Sequence, residues 1–189
     1  ERLKNQLRWD AEAGGYWVTL YDDGKAVEVF VQGTYGQGAG TADGGVGMAA
    51  LYEAAVRQHY GWDGVDGGLP ADAFAWLTGS EAQVSHPIDA AVVQDMRDTL
   101  AKGGQVVVSS RDAAFGDDKT YEFTGTRVKP DGTTEEFEAR FVAPHAYTVE
   151  KVDANGDVWI RNPWGEGNSY DDGGVFKVSK ADFDAVFWR

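Results

Sequence analysis

The stretch that decides the reading is "VAPHAYTVEKVDANGDVWIRNPWGEG", residues 142–167. Two strand-like runs flank Asn155-Gly156, a dipeptide suited to the positive-φ positions of a tight hairpin turn. The first run opens on His145, and the second delivers Asn162, Pro163, Trp164 and Gly165. Asn155-Gly156 lies about midway between His145 and Asn162, and opposite residues of an antiparallel pair sit about 5 Å apart. One tight hairpin therefore brings an imidazole and a carboxamide together. A histidine at a strand start carries no chemistry by itself; the asparagine gives it a partner.

Working outward, "KTYEFTGTRVKPDGTTEEFEARFV" upstream reads as a second hairpin turning at Pro130-Asp131-Gly132. It is long and charged, which fits a solvated hairpin better than a partner contact. Before it, "SHPIDAAVVQDMRDTLAKGGQVVVSS" predicts a helix with Ser85 or His86 as cap and Pro87 in its first turn. Its stripe is Ile88, Ala91, Val92, Met96 and Leu100, and Gly103 and Gly104 end it before a strand buried on both faces.

"LPADAFAWLTG" predicts a short helix started by Pro70 and stopped by Gly79. "GMAALYEAAVRQHYG" places Met48, Leu51, Tyr52, Ala55, Val56 and His59 on one helical face, closed by Gly61. His59 is then expected to be a packed core or interface residue with one nitrogen satisfied. "YWVTLYDDGKAVEVFVQG" alternates around Asp23-Gly24 as another hairpin, and the glycine-rich "GTYGQGAGTADGG" after it reads as a surface loop. The chain closes with "GGVFKVSKADFDAVFWR": a strand, Ser179 as N-cap with Asp182 in reply, and a short helix carrying Phe183 and Phe187. The front is mixed and the back mostly antiparallel sheet, an α+β chain without internal repeats.

The totals bound the function. A chain of 189 residues with 42% hydrophobic and 13% aromatic residues can bury a real core. The net charge of -14 repels a phosphate backbone, so nucleic acid is excluded as the main partner, and the acidity favours solubility. No apolar run reaches membrane-spanning length and no charged-then-apolar signal segment opens the chain, so no membrane partner is expected. The absence of cysteine removes disulfides, thiolate metal sites and any thiol nucleophile within these residues. The spacing of His59, His86 and His145 supports no shared metal site. Sugar stacking by the Trp and Tyr residues is disfavoured because most fall on the faces expected to be buried.

A strand beginning "HAYTV", a turn, and a strand delivering "IRNPWGE" resembles the histidine and asparagine segments of the calpain-like, papain-fold cysteine peptidases. "GMAALYEAAVRQHYG" with "AFAWLTG" resembles the end of that family's first catalytic lobe. "DMRDTLAKGGQVVVSS" resembles the helix and strand that open its second, and "VFKVSKADFDAVF" its closing strand and helix. The likeness is loose over the first 45 residues and specific at NPWG. It implies a papain-like α+β fold in which residues 1–80 form the C-terminal part of the first lobe and 81–189 the β-rich second lobe. It also implies a peptide or protein substrate. His145 would be the general acid/base and Asn162 its orienter; Trp164 would cover their hydrogen bond, and Pro163 and Gly165 would shape the turn.

The family's cysteine lies on a helix upstream of the segment that "GGYWVTLYDDGKAVEVFV" resembles, preceded by a glutamine that serves the oxyanion hole. Gln6 and Gln37 are not in that motif, and no Ser or Thr in the first 15 residues replaces the thiol. The nucleophile is therefore expected upstream of Glu1 or in a companion fragment, with this chain alone inactive. A start at Glu1 instead of Met reads as processed, trimmed or excised.

The resemblance requires no cofactor and leaves calcium open, since calpains proper bind it in each lobe. "DANGD" sets Asp153, Asn155 and Asp157 at alternate positions but lacks the sixth-position glycine and the later glutamate of a calcium loop, so it reads as a turn. Glu166, Asp171 and Asp172 are weak calcium candidates, expected to be solvent-exposed. Two other readings stand beside the peptidase. A calpain-like domain without its nucleophile would be a peptide-binding module. A carbohydrate-active protein would need two acids across a cleft, which the sequence does not place. Such modules occur in intracellular proteases and in bacterial secreted effectors. The acidic, glycine-rich, cysteine-free composition favours the effector setting over the cytoplasm.

Overall fold

A computed structural model describes residues 2–34, 47–61, 68–86, 88–110, 117, 119–129, 131–164, 169–171 and 174–187. The chain divides into two compact units, Glu1–Val84 and Ser85–Arg189, and each contains an antiparallel sheet with helices.

In the first unit a short helix, α1 (Arg2–Asn5), leads into β1 (Leu7–Asp10), β2 (Gly15–Asp22) and β3 (Lys25–Val31), which form a three-stranded sheet in that order. The β2–β3 turn is the expected one: Asp22 pairs with Lys25, and Asp23 and Gly24 take φ of 47° and 73°. The alternation buries Val18, Leu20, Val29 and Val31 against Leu51, Tyr52, Ala54, Ala55 and Val56 of α2 (Met48–Tyr60). The buried face of α2 is broader than its spacing predicted, because Ala50 and Ala54 let it approach closely, while Met48 at its first turn is exposed. Helix α3 (Pro70–Thr78) starts on Pro70 and stops at Gly79, whose φ of 67° and contact with the Tyr21 ring both exclude a Cβ. Strand β1 was not foreseen. It is tied in partly through Gln6, whose Nε2 donates to Thr19 O at 3.0 Å and Leu77 O at 3.1 Å.

The second unit carries α4 (Ala90–Ala101), β4 (Val106–Ser110), β5 (Thr120–Val128), β6 (Thr134–Val142), β7 (His145–Val152), β8 (Val158–Arg161), β9 (Val175–Val178) and α5 (Lys180–Phe187). The six strands lie in the order β4-β7-β8-β9-β5-β6. The two expected hairpins form: β5–β6 turns through Asp131 and Gly132, and β7–β8 through Asp153–Asp157. The core beneath the sheet is aromatic, with Phe141 at 0%, Tyr147 at 0%, Phe176 at 1% and Phe183 at 1% exposure. Each of these phenylalanines contributes about 1.5–3 kcal/mol on burial.

Two local expectations are corrected. Helix α4 starts at Ala90, not Pro87, because the Asp89 carboxylate caps it by accepting from Ala91 N and Val92 N, a role Ser85 and His86 do not fill. Pro87 itself lies outside the described residues. Strand β4 is an edge strand buried on one face, since among the described residues it pairs only with β7 and Ser109 is exposed. Helix α5 begins as expected: Ser179 Oγ accepts from Asp182 N at 3.1 Å, and Ser179 Oγ donates to Asp182 Oδ2 at 2.5 Å. No helix among the described residues is long and apolar enough to cross a membrane.

Candidate functional site

Strand β7 begins at His145, and β4 sets its backbone. Ser110 pairs with His145 in register; its Oγ accepts from His145 N at 3.1 Å and donates to Val142 O at 2.5 Å. Tyr147 supports the same corner, its Oη accepting from Val142 N at 3.0 Å. Burial holds the Tyr147 phenol well above the usual tyrosine range, the Val142 hydrogen bond lowers it in part, and the charge of Asp171 raises it further. Period-two alternation places His145 on the same strand face as Tyr147, and their rings meet edge to face at 4.8 Å. The imidazole therefore rests on the aromatic core while remaining partly exposed.

Asn162 follows the last residue of β8. It is not directly opposite His145: the β7–β8 ladder ends at Thr148–Arg161, and an irregularity between Val149 and Lys151 shifts the register. The two side chains nonetheless meet, with His145 Nε2 2.9 Å from Asn162 Oδ1. Asn162 is only 1% exposed. Its Oδ1 also accepts from Trp164 N at 3.1 Å, and its Nδ2 donates to Asp171 Oδ2 at 2.8 Å. Trp164 lies against the imidazole with ring centroids 4.3 Å apart and is itself 48% exposed. Pro163 is exposed in the turn, and Gly165, Glu166 and Asp172 lie outside the described residues.

These contacts determine what the histidine can do. An amide oxygen only accepts, so Asn162 Oδ1 requires the ring proton on Nε2, and the neutral ring presents an unprotonated Nδ1. Among the described residues Nδ1 has no hydrogen-bond partner. The group is thus a base held in one tautomer, with one face of its ring covered by indole.

Asp171 is not where its turn setting suggests. It was a solvent-exposed calcium candidate, but it is 2% exposed and spends an oxygen on Asn162. No periodicity marks it, because residues 169–171 are turn held by contacts with β6: Arg140 N donates to Tyr170 O at 2.8 Å, and Arg140 Nη2 to Ser169 O at 3.2 Å. Ser110 was missed although its signal was present, since it continues the inward alternation of Val106 and Val108 with a polar residue.

The remaining candidates are structural. "DANGD" is a turn as read: Trp159 Nε1 donates to Asp153 Oδ2 at 3.0 Å, and Asp157 Oδ1 accepts from Lys180 N at 3.0 Å. Lys151 and Trp159 hold the Asp153 carboxyl below its ordinary range. No cluster of three or more metal-binding side chains occurs among the described residues. His59 is a surface residue and not a core one, because it sits in the last turn of α2, where its Nε2 meets Asp22 Oδ2 at 3.2 Å. The described Trp residues are less buried than expected: Trp9 and Trp164 are exposed, and Trp17, Trp76 and Trp159 only partly covered.

The chain matches no protein-family model, and no curated protein matches it.

Proposed function

We propose that this chain is the histidine- and asparagine-bearing part of a calpain-like cysteine endopeptidase of papain-like fold, its thiol nucleophile supplied by a segment outside these residues. The observation that carries the reading is the 2.9 Å contact between His145 Nε2 and an Asn162 Oδ1 whose orientation is fixed from two other sides. It leaves Nδ1 free to take a proton. In this reading Nδ1 removes the thiol proton, and the thiolate attacks the scissile carbonyl carbon. His145 then returns the proton to the leaving amine as the C–N bond breaks. Water, deprotonated by the same nitrogen, attacks the thioester carbonyl; the C–S bond breaks, the acid product leaves and the thiolate takes the proton back from His145. Asn162 Oδ1 holds the Nε2–H throughout and stabilises the imidazolium, and Trp164 keeps water from that bond. The derived steps use no cofactor.

The test is hydrolysis of fluorescent casein by the full-length gene product. The expected result is activity blocked by iodoacetamide and lowered about 10²–10⁴-fold by His145→Ala. Thiol-dependent activity that survives His145→Ala overturns the assignment. Peptide binding without hydrolysis replaces the peptidase with a non-catalytic binding module.

A further inference from the structure

We propose that Asp171 is the positioning residue of this site, the group that locks the Asn162 amide with its oxygen toward His145. A carboxamide is nearly symmetric in shape, and only its partners decide which end is oxygen. Asn162 is buried at 1% exposure, so water does not make that choice. Asp171 Oδ2, 2.8 Å from Nδ2, offers an acceptor; Trp164 N, 3.1 Å from Oδ1, offers a donor. A flipped amide would set oxygen against oxygen at Asp171 and N–H against N–H at Trp164. It would also present Nδ2 to the imidazole, move the ring proton to Nδ1 and so remove the lone pair a thiol needs.

Asp171 acts in a second way. A buried carboxylate accepting from one end of an amide polarises it and makes the oxygen at the other end a stronger acceptor. The order Asp171–Asn162–His145 is therefore a chain of hydrogen bonds that ends on the ring proton. The fold presents Asp171 here because residues 169 and 170 are anchored on edge strand β6 through Arg140, whose guanidinium also lies over the Tyr170 ring at 5.3 Å.

The inference rests on the peptidase reading for its catalytic consequence alone, and its first test needs only this chain. Nitrogen-15 NMR of the His145 ring reads the tautomer directly, with Asn162→Ala as the control that abolishes the preference. In the wild type the neutral ring is expected as the Nε2–H form. Asp171→Ala and the near-isosteric Asp171→Leu, neither of which offers Nδ2 an acceptor, are each expected to change the tautomer ratio by about threefold or more toward Nδ1–H. If Asp171→Ala fails to fold, Asp171→Leu decides. A folded variant that keeps the wild-type ratio overturns the inference.

In the full-length protein, Asp171→Leu should lower kcat about tenfold with KM little changed; an unchanged kcat also overturns it. A shifted tautomer in a protein that hydrolyses nothing sinks the peptidase reading and leaves the positioning role standing.

Discussion

Two histidines in this chain each bond an Asn or Asp side chain, and they are not equivalent. His59, in the first unit, meets Asp22 at 3.2 Å, with the two side chains 29% and 53% exposed. His145, in the second, meets Asn162 at 2.9 Å, and Asn162 is 1% exposed with both amide atoms committed. A hydrogen bond to a histidine does not make a site. What distinguishes His145 is that its partner has partners, so neither the geometry nor the proton position is left to solvent. Asp22 can rotate into water and lose little; Asn162 cannot move without leaving buried polar groups unmatched.

The contrast can be broken most directly by truncation. Asn162→Ala should destabilise the second unit by about 1–3 kcal/mol in urea denaturation, because it strips a partner from the buried Asp171 carboxylate as well as from His145. A loss under about 0.5 kcal/mol would mean that the amide is no better held than a surface group.

A loss that grows with pH should come from two buried tyrosines, one in each unit. Burial raises Tyr52 to about 12 and Tyr147 further, while the unfolded phenols titrate near the ordinary value of 10. Above pH ~10 the unfolded chain therefore releases protons that the folded chain retains, and stability falls as pH rises. Each phenol's contribution is fully present below that pH and declines until its own folded value is passed, later for Tyr147 than for Tyr52. Unfolding free energies measured from pH 9 to 12 check this; a flat profile across that ~3-unit window would refute it.

The smallest effect belongs to the surface pair. Asp22→Ala should change stability by no more than about 0.5 kcal/mol, and a larger loss would put His59 on the same footing as His145.

Much of this architecture follows from periodicity and turn chemistry. The hairpins at Asp23-Gly24, Asp131-Gly132 and Asn155-Gly156 and the stops at Gly61 and Gly79 are local events, and each forms. Helix α4 shows the limit. Its apolar stripe was legible at Val92, Met96 and Leu100, but Ala91 is exposed, Val93 packs on the core instead, and Ile88 is buried ahead of the helix. Pro87 drew the expected start too early, and only the reach of Asp89 to two backbone N–H groups settles it. The approach of His145 and Asn162 was legible too, since one hairpin brings both to the same end of the sheet, although ten residues before the turn pair and six after it leave them off register.

What the sequence alone determined, then, is α+β character and the meeting of an imidazole with a carboxamide. The tertiary structure decided what that meeting can do. Strand β9 enters beside β8, residues 169–171 are pinned on β6, and Asp171 is thereby buried against Asn162. Strand β4 brings Ser110 beneath His145 in the same way. The anchors on β6 and β4 join residues 29 and 35 apart in the chain, and no local spacing encodes them. An aspartate in a turn reads as solvated until the surrounding strands remove its water.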